Sequence, residues 1–247
     1  MERFIIEGNR DLNGTINVSG AKNAVLPAMS ACLLTKGKSV LHNVPDLIDI
    51  KTMSHLLRII GARVDYENGS MSIDSRDVCF SEAPYELVNK MRASIYVLGP
   101  LLARLKKARV SFPGGCAIGT RPIDLHLQAM ETLGAEISVD YGYINAKVKE
   151  LKGADIYFTK SSVGATINTL MAAVLAKGKT RIFNAAMEPE VDSTINLLNK
   201  MGAKINGRGT TTLEIEGVEE LIPIEMNMIP DRIEAGTFLI AGALSKN

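Results

Sequence analysis

The chain has 247 residues, 46% of them hydrophobic and 22% charged, with a formal net charge of +1. That is enough to bury a substantial core in one large or two small domains, and the charge balance excludes the strongly basic footprint of a nucleic-acid binder. Aromatic residues make up 5% and Trp is absent, which argues against stacking of bases or sugars on indole.

The first eight residues have no apolar h-region and place Glu2 where a signal peptide would be basic. The longest apolar runs, such as residues 238–244, fall short of the ~20 residues of a membrane span. Cys32, Cys79 and Cys116 show neither pairing nor metal spacing. A reducing, cytoplasmic location with no membrane partner is therefore expected.

In chain order, residues 17–24 read as a strand, a Gly turn and a helix start. An apolar, Ala-rich helix over 24–34 leads through Lys36-Gly37-Lys38 into a short strand and the loop His42-Asn43-Val44-Pro45. An amphipathic helix then ends in Gly61-Ala62, where Gly supplies a left-handed C-cap, and a strand over 63–66 opens a β-hairpin. The middle copy has helix slots at 92–105 and 124–133, Gly134-Ala135, and a strand over 136–139. The third has a helix over 164–176, Lys177-Gly178-Lys179, the loop Asn184-Ala185-Ala186, Gly202-Ala203, and a strand over 204–206. The Gly-Ala marks at 61, 134 and 202 give a period of roughly 70 residues, a βαβαββ unit present three times. A fourth copy starts at Arg232 and stops near the end of its first helix, so the chain is expected to be cut in mid-unit.

The densest site candidate is Phe112-Pro113-Gly114-Gly115-Cys116-Ala117-Ile118-Gly119-Thr120-Arg121-Pro122. Its glycines permit close backbone approach to a ligand, and a cation near a cysteine favours the reactive thiolate. Cys32 in a helix and Cys79 in a strand are instead expected to be small buried hydrophobes. Lys22 starts a helix, where the positive dipole end disfavours a cation unless an anion lies between; a solvated surface lysine is the alternative. Lys160-Ser161-Ser162-Val163-Gly164 repeats that context, suiting either phosphate binding or plain N-capping. Met91-Arg92-Ala93-Ser94 holds the matching place in the middle unit. Each unit thus offers one cation at the start of its first helix, and packing about a pseudo-threefold axis would gather them on a polyanionic ligand. His42, His55 and His126 lack metal spacing and read as structural. Asp124 reads first as an N-cap, and Glu188, Glu190 and Asp192 as a solvated loop with a cap.

These motifs resemble those of the enolpyruvyl transferases along residues 5–246. The specific parts are Ser19-Gly20-Ala21-Lys22-Asn23, Met91-Arg92-Ala93-Ser94, the cysteine segment 113–119, Arg121-Pro122-Ile123-Asp124-Leu125, Ser162-Val163-Gly164-Ala165-Thr166 and Pro230-Asp231-Arg232-Ile233-Glu234. The cysteine segment favours the branch that acts on UDP-N-acetylglucosamine over the shikimate-type branch. The resemblance implies an α/β (α+β) fold, an inside-out, barrel-like domain of three βαβαββ repeats with helices inside and sheets outside, plus an incomplete second domain. Residues 22–229 would form the complete domain, with 1–21 and 230–247 belonging to the second. It implies transfer of the enolpyruvyl group of phosphoenolpyruvate to the sugar 3′-hydroxyl, without metal or organic cofactor. Cys116, the loop cysteine alkylated by fosfomycin, and Lys22 would be catalytic. Lys22 and Asn23 would hold phosphoenolpyruvate; Arg92, Arg121, Pro122, Ile123, Asp124, Leu125, Lys160, Ser162, Val163, Gly164 and Asp231 would complete the substrate contacts. The family's aspartate base would fall beyond residue 247, so turnover by this chain alone is expected to be near background. A non-catalytic UDP-sugar-binding fragment, a shikimate-type transferase and a DNA-encircling clamp are the alternatives, and unpaired strand edges would favour self-association.

Overall fold

Three times the chain builds the same piece, and the reason is local. In the first unit α1 (Lys22–Ala31) runs into a 3-10 turn (Cys32–Leu34), followed by β1 (Lys38–His42), α2 (Ile48–Ile60), β2 (Arg63–Glu67) and β3 (Ser70–Asp74). The second has β4 (Glu82–Ala83), a 3-10 turn (Arg92–Val97), α3 (Leu98–Leu105), β5 (Lys107–Ser111), α4 (Asp124–Thr132), β6 (Glu136–Asp140) and β7 (Tyr143–Lys147). The third has β8 (Asp155–Tyr157), α5 (Val163–Ala173), β9 (Lys179–Phe183), α6 (Pro189–Lys200), β10 (Lys204–Asn206) and β11 (Thr212–Glu216). Then come β12 (Glu225–Asn227) and α7 (Arg232–Leu244). This computed structural model describes residues 3–5, 7–8, 12–83, 91–112 and 123–245.

The Gly-Ala marks act as their spacing predicts. Gly61, Gly134 and Gly202 take φ of 107°, 100° and 102°, stopping the second helix of each unit so that the chain reverses into a hairpin. At the other punctuation point, Gly178 takes φ 93° where the middle copy has Lys106 at φ 61°. Lys106 Nζ donates to the Ala103 carbonyl at 2.8 Å, so the lysine also caps the end of α3.

The described strands form sheets of the order β12-β1-β3-β2, β4-β5-β7-β6 and β8-β9-β11-β10. Each has one parallel pair at its edge and an antiparallel hairpin beyond it. Among the described residues the first unit has no leading strand of its own; β12, from after the third unit, takes that place and pairs Val40 with Glu225 and His42 with Asn227. Asparagines in the left-handed region lock both ends of the repeat alike. Asn43 (φ 56°) donates through Nδ2 to the Met228 carbonyl at 3.1 Å, and Asn184 (φ 58°) donates to the Phe158 carbonyl at 3.0 Å.

The helices lie inside and the sheets outside. α1 and α5 bury Ala24–Ala31 and Ala165–Ala173 respectively, and α1, α3 and α5 pack with α2, α4, α6 and the turn Arg92–Val97. Arg104 at the end of α3 donates to the carbonyls of Leu33, Thr35 and Ser75, tying the second unit to the first. α7 is different: its sequence is as apolar as α5, yet none of its residues is buried. The strand expected near Asn17 forms no ladder, and the chain meets its own return where Gly20 bridges Pro230, Ala21 N–H donates to the Ile229 carbonyl at 2.8 Å, Asp231 N–H donates to the Ser19 carbonyl at 2.8 Å and Ser19 N–H donates to the Glu234 carboxylate at 3.0 Å. Among the described residues no helix is long and apolar enough to cross a membrane.

At that crossing a Cβ on Gly20 would lie 1.7 Å from the Asn43 carbonyl oxygen. Gly20→Ala should therefore lower the unfolding free energy by about 2–4 kcal/mol. Gly142→Ala, at φ 77° with nothing within 4 Å of the added methyl, should lose only about 1 kcal/mol. Urea titration of both checks this, and equal midpoints would refute the close-approach account.

Candidate functional site

Lys22 opens α1, and the anion it needs is supplied by the protein. Its Nζ lies 2.7 Å from Asp49 Oδ2, in the first turn of α2, with the two side chains 38% and 30% exposed. At that exposure the pair adds at most about 1 kcal/mol of stability, so its effect is to aim the ammonium group. α1 has no side-chain N-cap and no acid in its own first turn, which leaves its N–H dipoles uncancelled beside Lys22. Asn23 next to it is exposed.

Ser162 caps α5 as its position predicts, its Oγ accepting from Ala165 N–H at 3.3 Å. That leaves the N–H groups of Val163 and Gly164 at a helix start with no acid in the first turn. Both residues are half-buried, and Lys160 before them is exposed. Asp124 departs from expectation. The N-cap of α4 is Ile123, and exposed Asp124 is the first helical residue, where a carboxylate still complements the dipole. Ile123 and Leu125 are buried and anchor that first turn.

The starts of α4 and α5 touch. A Cβ on Gly164 would lie 3.1 Å from both Cε1 and Nε2 of His126, so the ring fills the space a side chain would need. His126 is buried and its Nδ1 lies 3.1 Å from Nδ2 of Asn168, which also reaches the Ile95 carbonyl at 3.0 Å. Ile95 follows Arg92 by one turn, His126 follows Asp124 by two residues, and Asn168 follows Val163 by five. The three segments therefore begin within one to two helical turns of their contacts with one buried amide. The turn Arg92–Val97 also packs against both α1 and α5. Thus Asp124, Leu125, Ser162, Val163 and Gly164 are brought together around the start of the Arg92 segment, with Lys22 on the adjoining helix. The Arg92 side chain, Cys116, Arg121 and Pro122 lie outside the described residues.

Asp231 caps α7, accepting from Ile233 N–H at 2.8 Å and Glu234 N–H at 3.2 Å. Glu190 is a correction to the solvated loop expected there. It is 3% exposed and receives a forked hydrogen bond from Arg232 at 3.0 and 3.3 Å, a long-range pair that no local pattern announces. Cys79 is a second correction: it is exposed and lies in no strand, because β3 ends at Asp74 and the chain turns at Arg76. Asp49 and Asn168 went unmarked by sequence reasoning, and His126 was read only as structural; the acid in a helix's first turn was the one signal available. A concavity of about 340 Å³ on the β6–β7 hairpin, lined by Glu136, Ser138, Asn145 and Lys147, contains none of the candidate residues.

Cys32 is fully buried, and desolvation pushes its thiol up to about 12. Peptide mapping after iodoacetamide at mildly alkaline pH should find Cys79 alkylated and Cys32 untouched until the chain is unfolded. Labelling of Cys32 in the native protein would contradict its burial.

A family model described as EPSP synthase (3-phosphoshikimate 1-carboxyvinyltransferase) matches residues 6–247. The chain is 60% identical to UDP-N-acetylglucosamine 1-carboxyvinyltransferase of Chloroherpeton thalassium, over 99% of this chain and 58% of that one. It is 54% identical to the protein of the same name from Desulfosudis oleivorans, over 100% of this chain and 59% of that one. The chain therefore spans a little under three-fifths of these relatives' length. Among solved structures, the enolpyruvyl transferase NikO from Streptomyces tendae superposes with a TM-score of 0.83 at 23% identity, over 96% of this chain and 56% of that one. EPSP synthase from Acinetobacter baumannii gives 0.78 at 20% identity, over 98% of this chain and 55% of that one. At those identities the structures speak for the fold, and they share the inside-out arrangement.

Proposed function

The chain belongs to the EPSP synthase family of enolpyruvyl transferases, whose model it matches over residues 6–247, and on that footing we propose that it serves the transfer of enolpyruvate from phosphoenolpyruvate to the 3′-hydroxyl of UDP-N-acetylglucosamine. The observation that carries this reading is the gathering of the Arg92, Asp124–Leu125 and Ser162–Gly164 segments about Asn168, beside the Lys22–Asp49 pair. The uncapped start of α1, the Val163 and Gly164 N–H groups at the start of α5 and several cations suit a ligand with a diphosphate and a second, smaller anion. The reading includes peptidoglycan precursor synthesis in the cytoplasm. It also takes residues 22–229 as one domain, with 1–21 and 230–247 belonging to a second; the crossing of Ser19–Ala21 with Ile229–Asp231 supports that boundary.

In this reading Arg92, Arg121, Pro122, Ile123, Asp124 and Leu125 hold the nucleotide sugar. Lys160, Ser162, Val163 and Gly164 take the uridine diphosphate, with the Val163 and Gly164 N–H groups donating to phosphate oxygens. Lys22 and Asn23 receive phosphoenolpyruvate, Asp49 keeping the Lys22 ammonium in place before the substrate anion arrives. Asp231 completes the substrate contacts from the far side of the crossing. The Cys116 thiol gives its proton to C3, making C2 electrophilic. The sugar hydroxyl adds at C2 and loses its proton; C3 then gives up a proton and phosphate leaves, restoring the double bond in the enol ether. Fixed cations around the carboxylate and phosphate stabilise the charge that develops at departure.

Calorimetric titration with UDP-N-acetylglucosamine tests this. Wild type should bind saturably, Arg121→Ala should bind about tenfold or more weakly, and shikimate 3-phosphate should give no heat. Binding of shikimate 3-phosphate alone would replace the acceptor, and no binding by a folded chain to either would overturn the reading.

A further inference from the structure

Asn168 is fully buried in the middle of α5, among Ile167, Leu170 and Met171. A buried amide is unfavourable unless its groups are bonded, and here both ends are used. Its Oδ1 accepts from Gly99 N–H at 2.9 Å, while Nδ2 donates to the Ile95 carbonyl at 3.0 Å and meets His126 Nδ1 at 3.1 Å. The two backbone partners fix which end is which, because a flipped amide would set donor against donor at Gly99 and acceptor against acceptor at Ile95. Nδ2 therefore donates to Nδ1, and the neutral imidazole carries its proton on Nε2. That edge of the ring is the one that lies against Gly164. The approach is closer still on the other side, where a Cβ on Gly99 would lie 2.6 Å from Asn168 Oδ1.

An aliphatic side chain of similar size would fill this volume with no amide to desolvate, so packing does not call for asparagine. What the amide adds is registration. It joins the end of the turn that begins with Arg92, the first turn of α4 and the helix that begins with Ser162, three segments from two different units. We propose that Asn168 is a positioning residue for the nucleotide-sugar site, acting through His126, Ile95 and Gly99 to hold the Asp124–Leu125 and Val163–Gly164 edges of the mouth at the spacing a diphosphate requires. The inference rests on the reading of that site as a UDP-sugar site, and it concerns side chains that touch no substrate.

The test compares Asn168→Ala and the milder His126→Gln with Ile215→Ala, a core truncation in β11 that takes no part in the Asn168 hydrogen bonds. UDP-N-acetylglucosamine is titrated into each folded variant, and melting temperatures are recorded alongside. Asn168→Ala should weaken binding by about tenfold, and His126→Gln by several-fold. Ile215→Ala should lose a comparable melting temperature yet bind within about twofold of wild type. Nitrogen-15 spectra of the His126 ring should show Nδ1 unprotonated in wild type, with a changed tautomer balance in Asn168→Ala. Asn168→Ala binding like wild type, Ile215→Ala weakening it equally, or a protonated Nδ1 in wild type would each overturn the proposal while leaving the site standing. No binding by folded wild type would instead remove the UDP-sugar reading, and the positioning role with it.

Discussion

α1 and α5 bury almost every side chain they carry, so neither helix has a face left for water. That constraint organises the molecule. A helix buried on all sides must be covered on all sides, and the covering is done by the second helices and the three outer sheets. The hydroxyl of Thr169 on α5 has no hydrogen-bond partner among the described residues, but other polar groups inside find one within the protein. Asn168 does so by bridging the second and third units, and Ser30 does so by donating to the Leu26 carbonyl one turn back. The ends of the same helices are the places where backbone N–H groups meet solvent without internal partners. The binding chemistry we propose would therefore gather at the ends of the most buried elements, which is where the candidate residues of each repeat sit.

Short-range features were legible in the sequence. Gly61, Gly134 and Gly202 announced the helix ends because only glycine takes that backbone conformation without strain, and the hairpins followed from the alternation after them. The capping role of Ser162 and the burial of Cys32 followed from their immediate neighbours in the same way. The repeat itself was visible since each unit uses the same punctuation. Its cohesion was not. β12 lends its edge to a sheet begun 185 residues earlier, counting from Val40 to Glu225, and nothing in a three-residue strand tells which sheet it will join.

The site was legible in part, and the boundary has a physical cause. Lysine at a helix start raised the need for an anion, and the answer, Asp49, came from another helix altogether. Glu190 looked like one of three acids on a loop until the fold brought Arg232 to it. Cys79 looked like a buried residue of a strand, but Asp74 and Arg76 close a tight turn by hydrogen bonding to each other and end the strand before it. In each case the deciding partner or turn lay outside the residue pattern used for the expectation. His126 illustrates the same point from the other side. Judged on ligand spacing it was a structural histidine, and only the fold reveals that its ring faces Gly164 and meets Asn168.

The late arrival of β12 has a consequence for synthesis on the ribosome. β1 and its hairpin are translated early, but the parallel edge of β1 stays without its partner until residues 225–227 have been made. At ~5–20 residues per second, the intervening stretch takes roughly ten to forty seconds to emerge. During that interval the first sheet presents an open edge, backed by an apolar helix, to every other nascent chain in reach. The same pairing that makes the three units a closed ring thus defines a window in which the growing polypeptide depends on being shielded from its neighbours.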